Sequence, residues 1–222
     1  MMLTLVEKIL FVLATIASLY FTYRGAMRIV GHISSGQGKP DWGLIWKRIG
    51  DLIMKVGLFQ PVFRFRLGPS ILHAFIGWGL FVFLLVDLSE LLYGMFAFRL
   101  LDQGGIVGDI YRLTADIANT AIIIGIVALV IRRFILRPNN LSTRETTLLH
   151  PDARTGISRD SAIVAIFILT HNIMRLFGEA FYLAENGIHD NWQPIISTVA
   201  GWVSGMDAGA LLIGEHVAFW LS

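Results

Sequence analysis

Residues 68–94 read GPSILHAFIGWGLFVFLLVDLSELLYG, a stretch with charges only near its far end, at Asp87 and Glu90. About 20 apolar residues at 1.5 Å each cross the roughly 30 Å hydrocarbon core of a bilayer as a helix. A transmembrane β-strand needs about half that length and alternates apolar with polar residues, which this stretch does not do. It therefore predicts a membrane-spanning helix. Working outward, four further apolar segments stand at 9–30, 110–135, 161–183 and 208–222. The pattern predicts an all-α, multi-pass bundle of five transmembrane helices in one domain, residues 1–222. The fifth segment, about 22 Å as a helix, is shorter than the core. It stops at Trp220-Leu221-Ser222 without a basic anchor. An incomplete fifth helix, with more chain expected beyond it, accounts for both features.

The composition agrees. Of 222 residues, 55% are hydrophobic and 15% charged, against about 25% charged in soluble domains. There is no cysteine, which excludes a thiolate-held iron–sulfur cluster, a covalent CxxCH haem site and a disulfide within these residues. No basic stripe suggests nucleic acid. The first apolar segment carries its Arg24 and Arg28 after the run, the reverse of a cleaved signal peptide. It is read as a mature helix.

Basic residues set an expected orientation. Arg24, Arg28, Lys39, Lys47, Arg48, Lys55, Arg64 and Arg66 lie between the first two segments, or at the end of the first. Arg132, Arg133, Arg137, Arg144, Arg154 and Arg159 lie between the third and fourth. The opposite loops hold Arg99 and Arg112 alone. The positive-inside rule then places the N-terminus outside and the C-terminus in the cytoplasm of a prokaryotic (inner) membrane. Residues 41–59 put Trp42, Ile45, Ile49, Leu52, Ile53 and Val56 on one face and Lys47, Arg48, Asp51 and Lys55 on the other. That predicts an interfacial helix with Asp41 as its N-cap. Residues 191–205 predict a short amphipathic cap on the outer side.

Three of the six histidines, His73, His171 and His216, fall inside apolar segments. Ionisable groups at membrane depth are functional candidates, and imidazole is a usual axial ligand of b-type haem. Counting along the segments puts His73 about 7 Å from the cytoplasmic boundary, with His171 and His216 level near mid-depth. Level histidines on neighbouring helices predict one shared haem iron, with His73 serving a second haem. A helix–helix hydrogen bond or direct quinone contact remains open for each. His32, His150 and His189 read as solvated loop residues. Arg175 and Glu179 share a face with His171; a haem propionate, Glu179 itself or an interhelical ion pair would satisfy the arginine. Asp87, Glu90, Asp109, Arg112, Asp116, Glu179 and Glu215 gather at the outer helix ends. Glu179, Glu215, Arg112 and Asp116 are candidates for a quinone or proton-relay role. Gly77 and Gly79 offer room for a porphyrin face or for another helix. No phosphate loop, GxGxxG, HExxH or nucleophile elbow occurs in a credible context.

The run RFRLGP into SILHAFIGWG, together with EHVAFW in the last segment, resembles the nitrate reductase gamma-subunit type of cytochrome b. The nearer likeness is the form at the N-terminus of heterodisulfide reductase-related iron–sulfur oxidoreductases, including those linking electron-transfer flavoprotein to menaquinone. The resemblance implies five helices, haem b in two copies, a menaquinone site and a cytoplasmic iron–sulfur or flavoprotein partner outside these residues. It implies His73 as ligand of the cytoplasm-side haem and His216 as ligand of the outer haem. Phe83 stands near the family's second histidine of the second helix, so His171 takes that role or the outer haem is missing. The resulting expectation is a respiratory-chain oxidoreductase domain that relays electrons between that partner and quinone. A haem-free docking anchor and a small proton-coupled transporter are its rivals.

Overall fold

The computed structural model describes residues 4–36, 42–63, 67–98, 100–101, 104–141 and 147–222. The expected N-cap at Asp41 and the basic residues Lys39, Arg64, Arg66, Arg99 and Arg144 lie outside them. Among the described residues every regular element is helical: α1 Leu5–Ser34, α2 Trp42–Leu52, α3 Gln60–Phe63, α4 Leu67–Phe96, α5 Gly105–Val130, α6 Pro151–Glu185, α7 Pro194–Val203 and α8 Ala208–Leu221. Four of them, α1, α4, α5 with its π-helical extension to Leu136, and α6, are long and apolar enough to cross a membrane. α8 is regular but shorter, at 14 residues.

Local chemistry accounts for the ends. α1 starts at a capping box in which Thr4 and Glu7 satisfy each other's backbone N–H groups. α6 begins with His150 as N-cap and Pro151 in the first turn. It starts ten residues before its apolar run, so Arg154 and Arg159 are helical rather than loop residues. α2 passes through a π-turn at Ile53–Gly57 and stops at Phe59, whose φ is +51°. The expected single helix over 41–59 is thus a helix, a π-turn and a break.

Small residues set the packing. A Cβ on Gly125 of α5 would lie 2.9 Å from the Leu72 carbonyl oxygen of α4, and Gly79 of α4 receives Ile122 of α5. Gly178 of α6 faces Ala218 of α8, and Gly214 of α8 faces the Phe181 ring of α6. α5 also packs on α6, and α7 lies across α6 with Ile196, Val199 and Ala200 buried beside Ala180 and Leu183. That is the amphipathic cap expected over 191–205. Gly77 seats the Phe59 ring, so the space considered for a porphyrin face holds the α2–α3 segment. Phe59 and Phe63 pack on Trp78, whose indole N–H donates to the Gly57 carbonyl at 2.9 Å.

α1 stands apart. It has no buried residue, and among the described residues its first two turns carry polar and aromatic contacts to the bundle. Lys8 donates to the Met95 carbonyl at 3.1 Å, Phe11 meets Phe219, and Glu7 reaches α8.

Candidate functional site

Titratable groups from four helices converge at the α7 end of the bundle. They surround a cavity of about 150 Å³ between α4, α5, α6 and α8, lined by Glu90, Tyr93, Tyr111, Arg175, Glu179 and Glu215 among others. Arg175, its side chain 11% exposed, pairs directly with Glu90 of α4. Its guanidinium also lies 5.1 Å from the Phe83 ring centroid. The interhelical ion pair considered for Arg175 is formed. Arg112 also lines the cavity, held by Asp109 at 2.6 Å and Asp190 at 2.7 Å. The expected cluster of acidic groups and arginines at this end is therefore present.

Asp116, a relay candidate, also has a structural task. It is fully buried, and its Oδ2 accepts the Ile195 N–H at 2.8 Å. Gln193, the N-cap residue of α7, makes no side-chain cap of its own. Asp116 caps α7 from the neighbouring helix, satisfying a backbone donor that otherwise has no intrahelical partner.

The three membrane histidines share one feature. Nδ1 of His73 meets the Pro69 carbonyl at 2.8 Å, Nδ1 of His171 meets the Ser222 carbonyl, and Nδ1 of His216 meets Glu7 Oε1 at 2.8 Å. A carbonyl oxygen only accepts, so in neutral His73 and His171 the proton sits on Nδ1 and the lone pair on Nε2. That is the arrangement of a metal-ligating imidazole, its second nitrogen fixed by an acceptor.

The histidines do not pair as expected. The Gly178–Ala218 and Gly214–Phe181 contacts fix the register of α8 on α6, and His171 comes level with Ser222. His216 lies roughly 9 Å away along α8 and turns toward Glu7 of α1. The counted depths took the apolar boundaries as common reference planes, whereas side-chain packing sets the register. His171 instead packs between Phe83 and Phe167, with ring centroids at 6.1 and 6.4 Å.

At the opposite end His73 opens on a groove of about 440 Å³ between α4, α5 and α6, lined by Ile126, Leu129, Arg133, Val164 and Ile168 among others. This volume falls within the roughly 300–1,000 Å³ of cofactor and ligand sites, and the 150 Å³ cavity falls below it. The walls are mostly apolar, with the fixed imidazole of His73 and the charges of Arg133 and Asp160 at the edge, a donor set that would suit a b-type haem held by His73.

The chain matches no protein-family model, no curated protein and no solved structure. Its geometry alone then carries the functional reading. Sequence reasoning missed Asp190 as a partner of Arg112 and Glu7 as the partner of His216. It also missed Tyr93 and Tyr111 in the cavity wall. A T-x-x-E capping signal was readable at Thr4–Glu7, but nothing in it points to a helix some two hundred residues away.

Proposed function

We propose that this chain is the cytochrome b-type membrane domain of a quinone-linked oxidoreductase. It holds haem b through His73 and presents a quinone head group to the polar cavity beside Arg175 and Glu179. The carrying observation is the division of labour between the two ends: an apolar groove with a pre-set imidazole, and a small cavity rich in charge and hydroxyl groups. Bound haem supplies a one-electron carrier. The protein's share is to fix the imidazole, exclude water with Ile126, Leu129 and Val164, and set a cation near the groove mouth.

At the other end Arg175 and the tyrosine hydroxyls offer donors to the two carbonyl oxygens of a quinone ring. Glu179 and Glu215 line the same space and can exchange the protons that quinone reduction or oxidation requires. His171 and His216 do not face each other, so the support for a haem is at His73, and the two act as separate imidazoles.

The reading includes five spans, α8 being the fifth, with the N-terminus outside. Its support is charge segregation. Arg132, Arg133, Arg137, Arg154 and Arg159 fall at the bundle end where α2 docks with Lys47, Arg48 and Lys55. Leu52 of α2 and Ile53 and Val56 of the π-turn that follows are more than half exposed, as suits a segment lying in the membrane interface. The partner on the basic side is an iron–sulfur protein or flavoprotein. One observation favours the haem-free anchor instead: His216 serves as a helix–helix hydrogen-bond partner.

A menaquinone analogue titrated into the full chain in lipid nanodiscs tests the cavity. Saturable binding weakened about tenfold or more by Arg175→Leu, the loss of one charge-assisted hydrogen bond, is the expected result. Equal binding by the variant and the parent chain contradicts it.

A further inference from the structure

Asp116 and Asn119 lie three residues apart on α5 and so share a face. Asn172 stands on the facing helix, α6. α5 and α6 pack antiparallel, tied at one end by Arg133 to the Ile157 carbonyl at 3.4 Å, and toward the other end Ala115 and Arg175 line one cavity. Counting one turn inward from Ala115 and from Arg175 puts Asn119 and Asn172 at about the same level. The three side chains are 0%, 1% and 3% exposed in the order Asp116, Asn119, Asn172. Oδ1 of Asp116, both amide atoms of Asn119 and Oδ1 of Asn172 have no hydrogen-bond partner among the described residues. Asn172 Nδ2 is satisfied by the Ile168 carbonyl at 2.8 Å.

Inside a membrane bundle such groups find partners within the protein or in bound solvent, because lipid offers none. Asn119 presents both a donor and an acceptor. A bare cation would satisfy oxygens but oppose the amide N–H, and a quinone carbonyl accepts only. Water both donates and accepts.

The seam also adjoins the cavity. Asn119 is one turn inward from Ala115, and Asn172 is one turn from Arg175; both of those neighbours line the cavity. We propose that the α5–α6 seam binds internal water, held by Asp116, Asn119 and Asn172, as an inward branch of the polar cavity. The branch carries hydration from Arg175 down to the level of His171. Its use as a route for protons to the cavity rests on the quinone reading; the water itself does not.

A high-resolution density map of the full chain in lipid tests the site. The expected result is ordered density within about 3.2 Å of Asn119 Nδ2 and of Asn172 Oδ1. A direct Asn119–Asn172 hydrogen bond with no density between the side chains overturns the proposal. Infrared spectra in H₂¹⁸O give a second readout on the same protein. An isotope-shifted O–H band should disappear in Asn119→Leu and persist in Asn119→Ser, which keeps a hydroxyl and adds room. A band unchanged in Asn119→Leu, or absent from the parent chain, overturns it. Failure of the menaquinone analogue to bind while the water is seen would remove the quinone reading and leave the hydrated seam standing.

Discussion

α1 and the α4–α8 bundle are built from similarly apolar sequence, yet they hold themselves in different ways. The bundle is locked by glycines that admit a neighbouring backbone or ring, as at Gly79, Gly125, Gly178 and Gly214. Gly25 and Gly31 of α1 have nothing within 4 Å of a hypothetical Cβ. α1 is instead pinned at one end by Glu7, whose Oε2 serves Thr4 and whose Oε1 serves His216 and Trp220. Apolar length makes a helix suited to lipid, whereas close approach and a few polar contacts decide which helices form the site.

Three substitutions probe that contrast. Gly125→Val should have the largest effect, about 3 kcal/mol of destabilisation from overpacking against the Leu72 backbone, read by thermal unfolding in detergent. A variant as stable as the parent would show that the α4–α5 seam is looser than described. Asp116→Ala should cost about 1–2 kcal/mol by uncapping α7. Hydrogen exchange should speed up at Ile195 and Ile196 before it does in α6, and uniform protection would remove the capping role. The smallest effect belongs to Gly25→Val, with no resolvable change in Tm, since valine has room there and a helix propensity no worse than glycine's. A large loss at Gly25 would mean that α1 is packed rather than tethered.

The same contrast explains what the sequence discloses. Apolar length located every long helix, and the period of residues 191–205 located α7. The start of α6 was hidden because Pro151–Asp160 is polar and still helical. The cluster of charges around Arg112, Arg175 and Glu179 was legible, since charges inside apolar runs stand out. Their partners were not: Glu90 for Arg175, Asp190 for Arg112 and Glu7 for His216 depend on helix register, which composition does not encode. His171 and His216 were placed level for the same reason. Asn119 and Asn172 carried a readable signal, a polar amide within an apolar run, that haem-centred reasoning passed over.

Haem b held by His73 in its groove is the proposal on which the functional reading rests. The dithionite-reduced minus oxidised visible spectrum of the purified full chain tests it most directly, recorded beside His73→Ala at equal protein concentration. The account predicts a b-type difference band in the parent chain and its loss in the variant, with Gly25→Val retaining it. A colourless parent chain, or a band of undiminished size in His73→Ala, would contradict it.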